Sequence, residues 1–226
     1  MAEQLKLFYE KIIFDQNSSP EYAQNTFQEL KRNGIVIGTD EAGRGALAGP
    51  VVAAAVYLTQ EQEEKLISMK LRDSKLISEG RREKLFSAMN ELKVLWRTAM
   101  TWPKTIDQEN ILRSSISAML ESVRNLTKIL PENPYCLIVD GNSRIDDIDF
   151  LQWDLVKADM KIPTVSAASI VAKVLRDRLM RNYDKLYPVY DFKKNKGYPT
   201  KFHIEAIKKF GIVDIHRKTF CSKFLD

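Results

Sequence analysis

The chain has 226 residues, 44% of them hydrophobic, and 35 basic against 30 acidic side chains give a formal charge of +5. A chain this long hides about 70% of its unfolded surface when folded, so these figures allow one large domain or one domain with an appendage and exclude a disordered chain or a disulfide-stapled miniature. Cys136 and Cys221 are the two cysteines, and no uninterrupted apolar segment suits a leader or a membrane span; the expectation is a cytosolic protein with ordinary thiols.

In chain order, residues 1–32 read as an N-terminal helical arm, with Leu5, Phe8, Tyr9, Ile12 and Ile13 at helical spacing and a break around Asn17-Ser18-Ser19-Pro20. The remainder, 33–226, reads as one catalytic domain with a basic helical C-terminal region. A β-rich run, Ile35 to Thr39, ends at Asp40-Glu41, and a second strand is expected over about 51–58 and a third over 94–99. Helical patterns cover 79–92 and 106–129, the latter with Thr105 and Asp107 as caps. Tyr135-Cys136-Leu137-Ile138-Val139 is a short apolar run bounded by turn formers and reads as a buried strand ending at Asp140-Gly141-Asn142. Further helices are expected over 166–183 and 201–210. Strands alternating with helices in this way indicate a mixed-sheet α/β domain.

Charge is unevenly placed. Residues 181–226 carry 11 basic and 5 acidic side chains, so the whole basic excess lies at the C-terminal end. A solvated lysine-rich surface would give the same excess, but it also suits contact with a nucleic-acid backbone.

Gly43-Arg44-Gly45-Ala46-Leu47-Ala48 formally satisfies G-x-G-x-x-G/A. That fingerprint must open a helix on which a pyrophosphate is seated, whereas here Gly49-Pro50 leads directly into a β-like run. The glycines more plausibly bring backbone N–H groups close to a ligand. Asp40, Glu41 and Asp140 end apolar strands, and Asp159 follows soon after. If the two strands are parallel neighbours, their carboxylates emerge at one sheet edge. Clustered carboxylates raise one another's pKa unless a cation lies between them, and an all-oxygen donor set points to Mg²⁺ or Mn²⁺. Ser169, Lys173 and Asp177 recur at i, i+4 and i+8 and share one polar stripe, with Ser169 and Lys173 suited to phosphate contact. His203 and His216 read as surface or helix-end residues.

Several blocks occur together: Thr39-Asp40-Glu41-Ala42-Gly43-Arg44-Gly45, Gly49-Pro50-Val51-Val52, Asp73-Ser74-Lys75, Val139-Asp140-Gly141-Asn142, Lys157-Ala158-Asp159, Ser166 to Lys173, Arg176-Asp177 and Lys196-Gly197-Tyr198-Pro199-Thr200. In this order, over roughly 34–220, the sequence closely resembles bacterial ribonuclease HII, the type 2 ribonuclease H. Related type HIII enzymes differ in carrying Gly-Thr-Gly, a Glu as fourth carboxylate and a larger N-terminal domain; Arg44, Asp159 and the short segment before Ile35 favour HII.

The resemblance implies an RNase H-like mixed five-stranded sheet flanked by helices. It also implies a two-metal site for Mg²⁺ or Mn²⁺ at Asp40, Glu41, Asp140 and Asp159, with Asp154 the alternative fourth carboxylate. The implied substrates are RNA–DNA hybrids and duplex DNA containing ribonucleotides, cut on the 5′ side to leave a 3′-hydroxyl and a 5′-phosphate. Gly43, Arg44, Gly45 and Tyr198 are the implied readers of the ribose 2′-hydroxyl. Lys75, Asn142, Ser169, Lys173 and Lys196 are the expected further nucleic-acid contacts, in a monomer without membrane attachment. A nucleic-acid-binding module without catalysis is the rival reading, and it would need the basic face but not the carboxylates.

Overall fold

The computed structural model describes residues 15–71, 77–132 and 135–225. The N-terminal half of the expected arm (1–14) and Lys75 lie outside the described residues. The first helix, α1 (Pro20–Asn33), starts where the break was expected: the Ser19 hydroxyl accepts from the Tyr22 N–H and Pro20 occupies the first turn, where its missing N–H costs nothing. Its Ala23, Phe27 and Leu30 are fully buried against Val36, Ile138, Trp153 and Leu155. This helix is therefore part of the same core as the sheet.

Strands β1 (Ile35–Ala42), β2 (Val51–Tyr57), β3 (Leu95–Thr101), β4 (Tyr135–Asp140) and β5 (Leu151–Leu155) form a five-stranded sheet in the order β3-β2-β1-β4-β5. β2 runs antiparallel to β1 and β3, while β4 is parallel to both β1 and β5. Four strands match the expected ones. β5 was not legible as a strand because acidic residues flank it, yet its Trp153 is fully buried.

Helices α2 (Gln60–Ser68) and α3 (Glu79–Glu91) connect β2 to β3, and α2 was not anticipated. The single helix expected over 106–129 is two: α4 (Pro103–Glu109) and α5 (Ile111–Thr127). Asn110 separates them at φ 77°, and its side chain accepts from the N–H groups of Leu112 and Arg113, so Asn110 is the cap rather than Thr105 or Asp107. Asp107 instead accepts from the backbone of Lys218 and Thr219 at the start of α10 (Lys218–Cys221).

Alternation along β2 feeds two cores. Ala54 and Val56 pack with Ala167, Ile170, Val171 and Val174 of the long helix α7 (Pro163–Leu186), whereas Ala53 and Ala55 pack with Ala118, Met119 and Val123 of α5. Close approach of α7 depends on Gly38, where a Cβ would lie 2.5 Å from the backbone of Thr164 and Val165. That approach sets the polar stripe of α7 over the end of β1. The C-terminal region, with α8 (Phe192–Asn195), α9 (Lys201–Phe210) and α10, encloses a further core of Leu47, Met180, Tyr190, Phe192 and Ile207.

Candidate active site

β1 and β4 are parallel neighbours with Thr39 opposite Val139, so the next residues, Asp40 and Asp140, stand side by side where the β1–β4 ladder ends, each still paired on its other side. After β5, Lys157 adopts a left-handed conformation (φ 58°) and turns the chain into the short helix α6 (Ala158–Lys161). This directs the Asp159 N–H to Asp140 Oδ1 at 3.3 Å. Ser166 Oγ donates to the Asp159 carbonyl and fixes α6 to α7. Carboxylate oxygens of Asp40, Asp140 and Asp159 all lie within 4.8 Å of one another. Asp154, the alternative, sits on β5 and accepts from Gln16.

Burial and the like charges of Asp140 and Glu41 push the Asp40 carboxyl well above its usual range, against a bond from Ser169 that lowers it. Glu41 is raised too, chiefly by burial, while Arg44 pulls it down from 3.3 Å. Glu41 thus faces the same opening but is not one of the three converging groups. Hard oxygen donors packed at this density, with their charge only partly offset by protein cations, fit a divalent cation such as Mg²⁺ or Mn²⁺.

The opening is a cleft of about 410 Å³ lined by Asp40, Glu41, Gly43, Arg44, Gly45, Asp140, Ser169, Lys173 and Tyr198, together with Arg82 and Ile170. Lys173 binds Asp177 at 2.7 Å and lies over the Tyr198 ring, 5.5 Å from its centroid; Arg176 flanks the same ring at 5.3 Å. Asn142 is exposed on the turn after Asp140. Lys196 is not brought to the cleft: it is buried, and its ammonium meets Glu79 at 3.3 Å and the Lys193 carbonyl.

Sequence reasoning gave no role to three arginines, of which Arg176 appeared only within a motif block. Arg82 lies on the cleft wall, 3.6 Å from Asp177; its signal was a cation on the apolar face of α3, three, four and seven residues before Leu85, Phe86 and Met89. Arg176 is fully buried and donates to the carbonyls of Ala48, Pro50 and Lys196. Arg217, equally buried, donates to Gly43, Arg44 and Gly49. Burial and the nearby Arg176 press its pKa down to about 9, still high enough to keep the charge at neutral pH. These guanidiniums hold the Gly43–Pro50 loop in shape through its carbonyls, while the Ala46, Leu47, Ala48 and Gly49 amides donate to Gly43, Gly197 and Ile215. As the missing helix already implied, the loop leads straight into β2 and offers no dinucleotide seat.

The histidines also require correction. His203 does stand at a helix end, in the first turn of α9, but both it and His216 are buried rather than at the surface, their Nε2 atoms 3.1 Å apart between Tyr190 and Phe192.

The family model for ribonuclease HII matches residues 37–223. A ribonuclease HII of Acetivibrio thermocellus is 43% identical over 99% of this chain and 83% of its own length, and one of Fusobacterium nucleatum is 45% identical over 84% of this chain and 87% of its own. Among solved structures, ribonuclease H2 of Pyrococcus horikoshii superposes with a TM-score of 0.67 at 29% identity, covering 84% of this chain and 96% of that one. With the carboxylates converging where the sheet topology places them, the chain belongs to the ribonuclease HII family and is a nuclease of ribonuclease H type 2.

Proposed function

We propose that this chain is a divalent-metal-dependent endonuclease that hydrolyses the RNA strand of RNA–DNA hybrids and incises duplex DNA on the 5′ side of an embedded ribonucleotide, leaving a 3′-hydroxyl and a 5′-phosphate. The convergence of Asp40, Asp140 and Asp159 at one end of a cleft whose other wall is the Gly43–Gly45 loop and Tyr198 carries this reading.

Asp40, Glu41, Asp140 and Asp159 would hold the metal. Two divalent ions bound there would supply activation of the attacking water and neutralisation of charge at the phosphodiester. Ser169 orients the Asp40 carboxylate, and Lys173, fixed by Asp177, presents a cation to the phosphate. Gly45 has open space where a side chain would be, leaving the backbone free to approach a ribose 2′-hydroxyl, the group that distinguishes RNA from DNA at a single nucleotide. Tyr198, held between Lys173 and Arg176, closes the other side of that position.

Asp40→Asn tests the reading. Hybrid cleavage should fall at least a thousandfold while hybrid binding, read by fluorescence anisotropy, stays within a few-fold of wild type. Cleavage at the wild-type rate would remove Asp40 from the chemistry.

A further inference from the structure

The buried histidine pair lies outside the cleft, yet it is connected to it through hydrogen bonds. Val213 N–H points at His216 Nδ1 from 3.0 Å. A backbone amide can only donate, so this Nδ1 must be unprotonated. The Val213 carbonyl lies farther from the same nitrogen, at 3.3 Å, and accepts from the His216 N–H at 2.8 Å, so the shorter amide contact decides. A neutral His216 therefore carries its proton on Nε2. At the other end, His203 Nδ1 lies 3.0 Å from the Tyr198 carbonyl, which can only accept, so His203 carries its proton on Nδ1 and has a bare Nε2.

The two ends are independent, and they make the central contact a matched pair: His216 Nε2–H donates to His203 Nε2 across 3.1 Å. These bonds then run one way, from Val213 through both rings to Tyr198, and the Gly197 backbone is a further partner of His203. Tyr190 and Phe192 pack edge-on to the rings, with centroids 4.8 Å from His216 and 5.3 Å from His203, and exclude water. Burial holds both imidazoles below the usual imidazole range, which keeps them neutral.

The sequence neighbour of His216 extends the connection. Arg217 donates to the carbonyls of Gly43 and Arg44, its own N–H donates to Leu47, and the Leu47 N–H donates to Gly197. Adjacent side chains thus support the two elements that face each other across the cleft, His216 the Tyr198 side and Arg217 the Gly43–Gly45 side.

We propose that His203 and His216, in opposed tautomers, are positioning residues that fix the Tyr198 backbone at the distance from the Gly43–Gly45 loop needed to read one ribose. The proposal rests on the reading of Tyr198 as a ribose contact.

Ring ¹⁵N NMR of the full chain at neutral pH tests the relay without any substitution. The expected signature is His203 protonated on Nδ1 and His216 on Nε2; identical tautomers, or a charged ring in either, would overturn it. Substitution tests the positioning role. His203→Asn keeps an amide donor near the Nδ1 position, whereas His203→Gln places its amide near Nε2 and loses the bond to Tyr198. For a duplex with one ribonucleotide, KM should rise about tenfold in His203→Gln with kcat little changed, and rise clearly less in His203→Asn, which keeps the bond to Tyr198 and loses the one to His216. Equal behaviour of the two variants would overturn the role, and if His203→Gln does not fold, the tautomers still decide the relay. Tyr198→Ala separates the two ideas: selectivity unchanged in that variant means that the ribose reading has failed, while selectivity lost there but kept in His203→Gln means that the relay has.

Discussion

Asp40 is buried beside two other carboxylates, and its position costs folding free energy whenever it is charged. Its folded pKa lies above the unfolded value, so the metal-free protein is most relieved at low pH and loses stability as pH rises through that raised value. Asp40→Asn should therefore stabilise the metal-free fold by about 1–3 kcal/mol at neutral pH in urea denaturation. Adding Mn²⁺ should raise the melting temperature of wild type well above any rise in the variant. Destabilisation of the metal-free variant would contradict this account of the cluster. The histidine pair has the opposite sign. Its folded pKa values are depressed, to about 4 for His216, so the unfolded chain takes up protons first. Stability should fall from about pH 6.5 downward, by about 1.4 kcal/mol per pH unit for each imidazole, and His216→Asn should flatten that limb; an unchanged slope would mean that the rings are not buried neutral.

Asp40, Glu41 and Asp140 were legible as a set because they end two apolar runs, whereas Asp159, on α6, was tied to them by the resemblance. The histidines were not legible, although His203 falls three and four residues before the buried Ala206 and Ile207 on α9 and so belongs to its apolar face.

At the scale of elements, the Gly43–Pro50 loop shows how shape is separated from recognition. Gly43 has φ +100°, and a Cβ there would meet Arg176 Nε at 2.1 Å; Gly45 has neither constraint. Gly43→Ala should cost about 1–3 kcal/mol of stability. Gly45→Ala should leave stability within about 0.5 kcal/mol yet weaken incision at a single ribonucleotide. Chemical denaturation alongside cleavage assays separates the two effects, and equal stability losses would contradict the division. Elements marked by a continuous apolar run, as in β1 and β2, or by an apolar helical face, as in α9, were legible. β5, decided by a distant partner, was not: it exists because β4 accepts it as a parallel neighbour; the break between α4 and α5 is local, a cap at Asn110 in a left-handed conformation, and was read through as one helix.

For the molecule as a whole, sheet order does the assembling. Placing β4 beside β1 brings residues a hundred positions apart to one edge, and laying α7 on Gly38 sets Ser169 and Lys173 above them. The C-terminal segment then closes the far wall through Arg217 and the histidines. Among the described residues no helix is long and apolar enough to cross a membrane, and the basic excess of residues 181–226 lies in the segment that carries Tyr198, where a polyanion would be held. Arg217 belongs to this scale, since no local pattern shows which carbonyls a buried guanidinium will meet.

The central claim is that these carboxylates and the facing loop form a ribonucleotide-directed nuclease. Its most direct test is to incubate the protein with a duplex carrying one ribonucleotide in an otherwise DNA strand, with Mg²⁺, with Mn²⁺ and with chelator, and to map the cut. The account predicts incision on the 5′ side of the ribonucleotide with metal and none with chelator; binding without incision in either metal would contradict it.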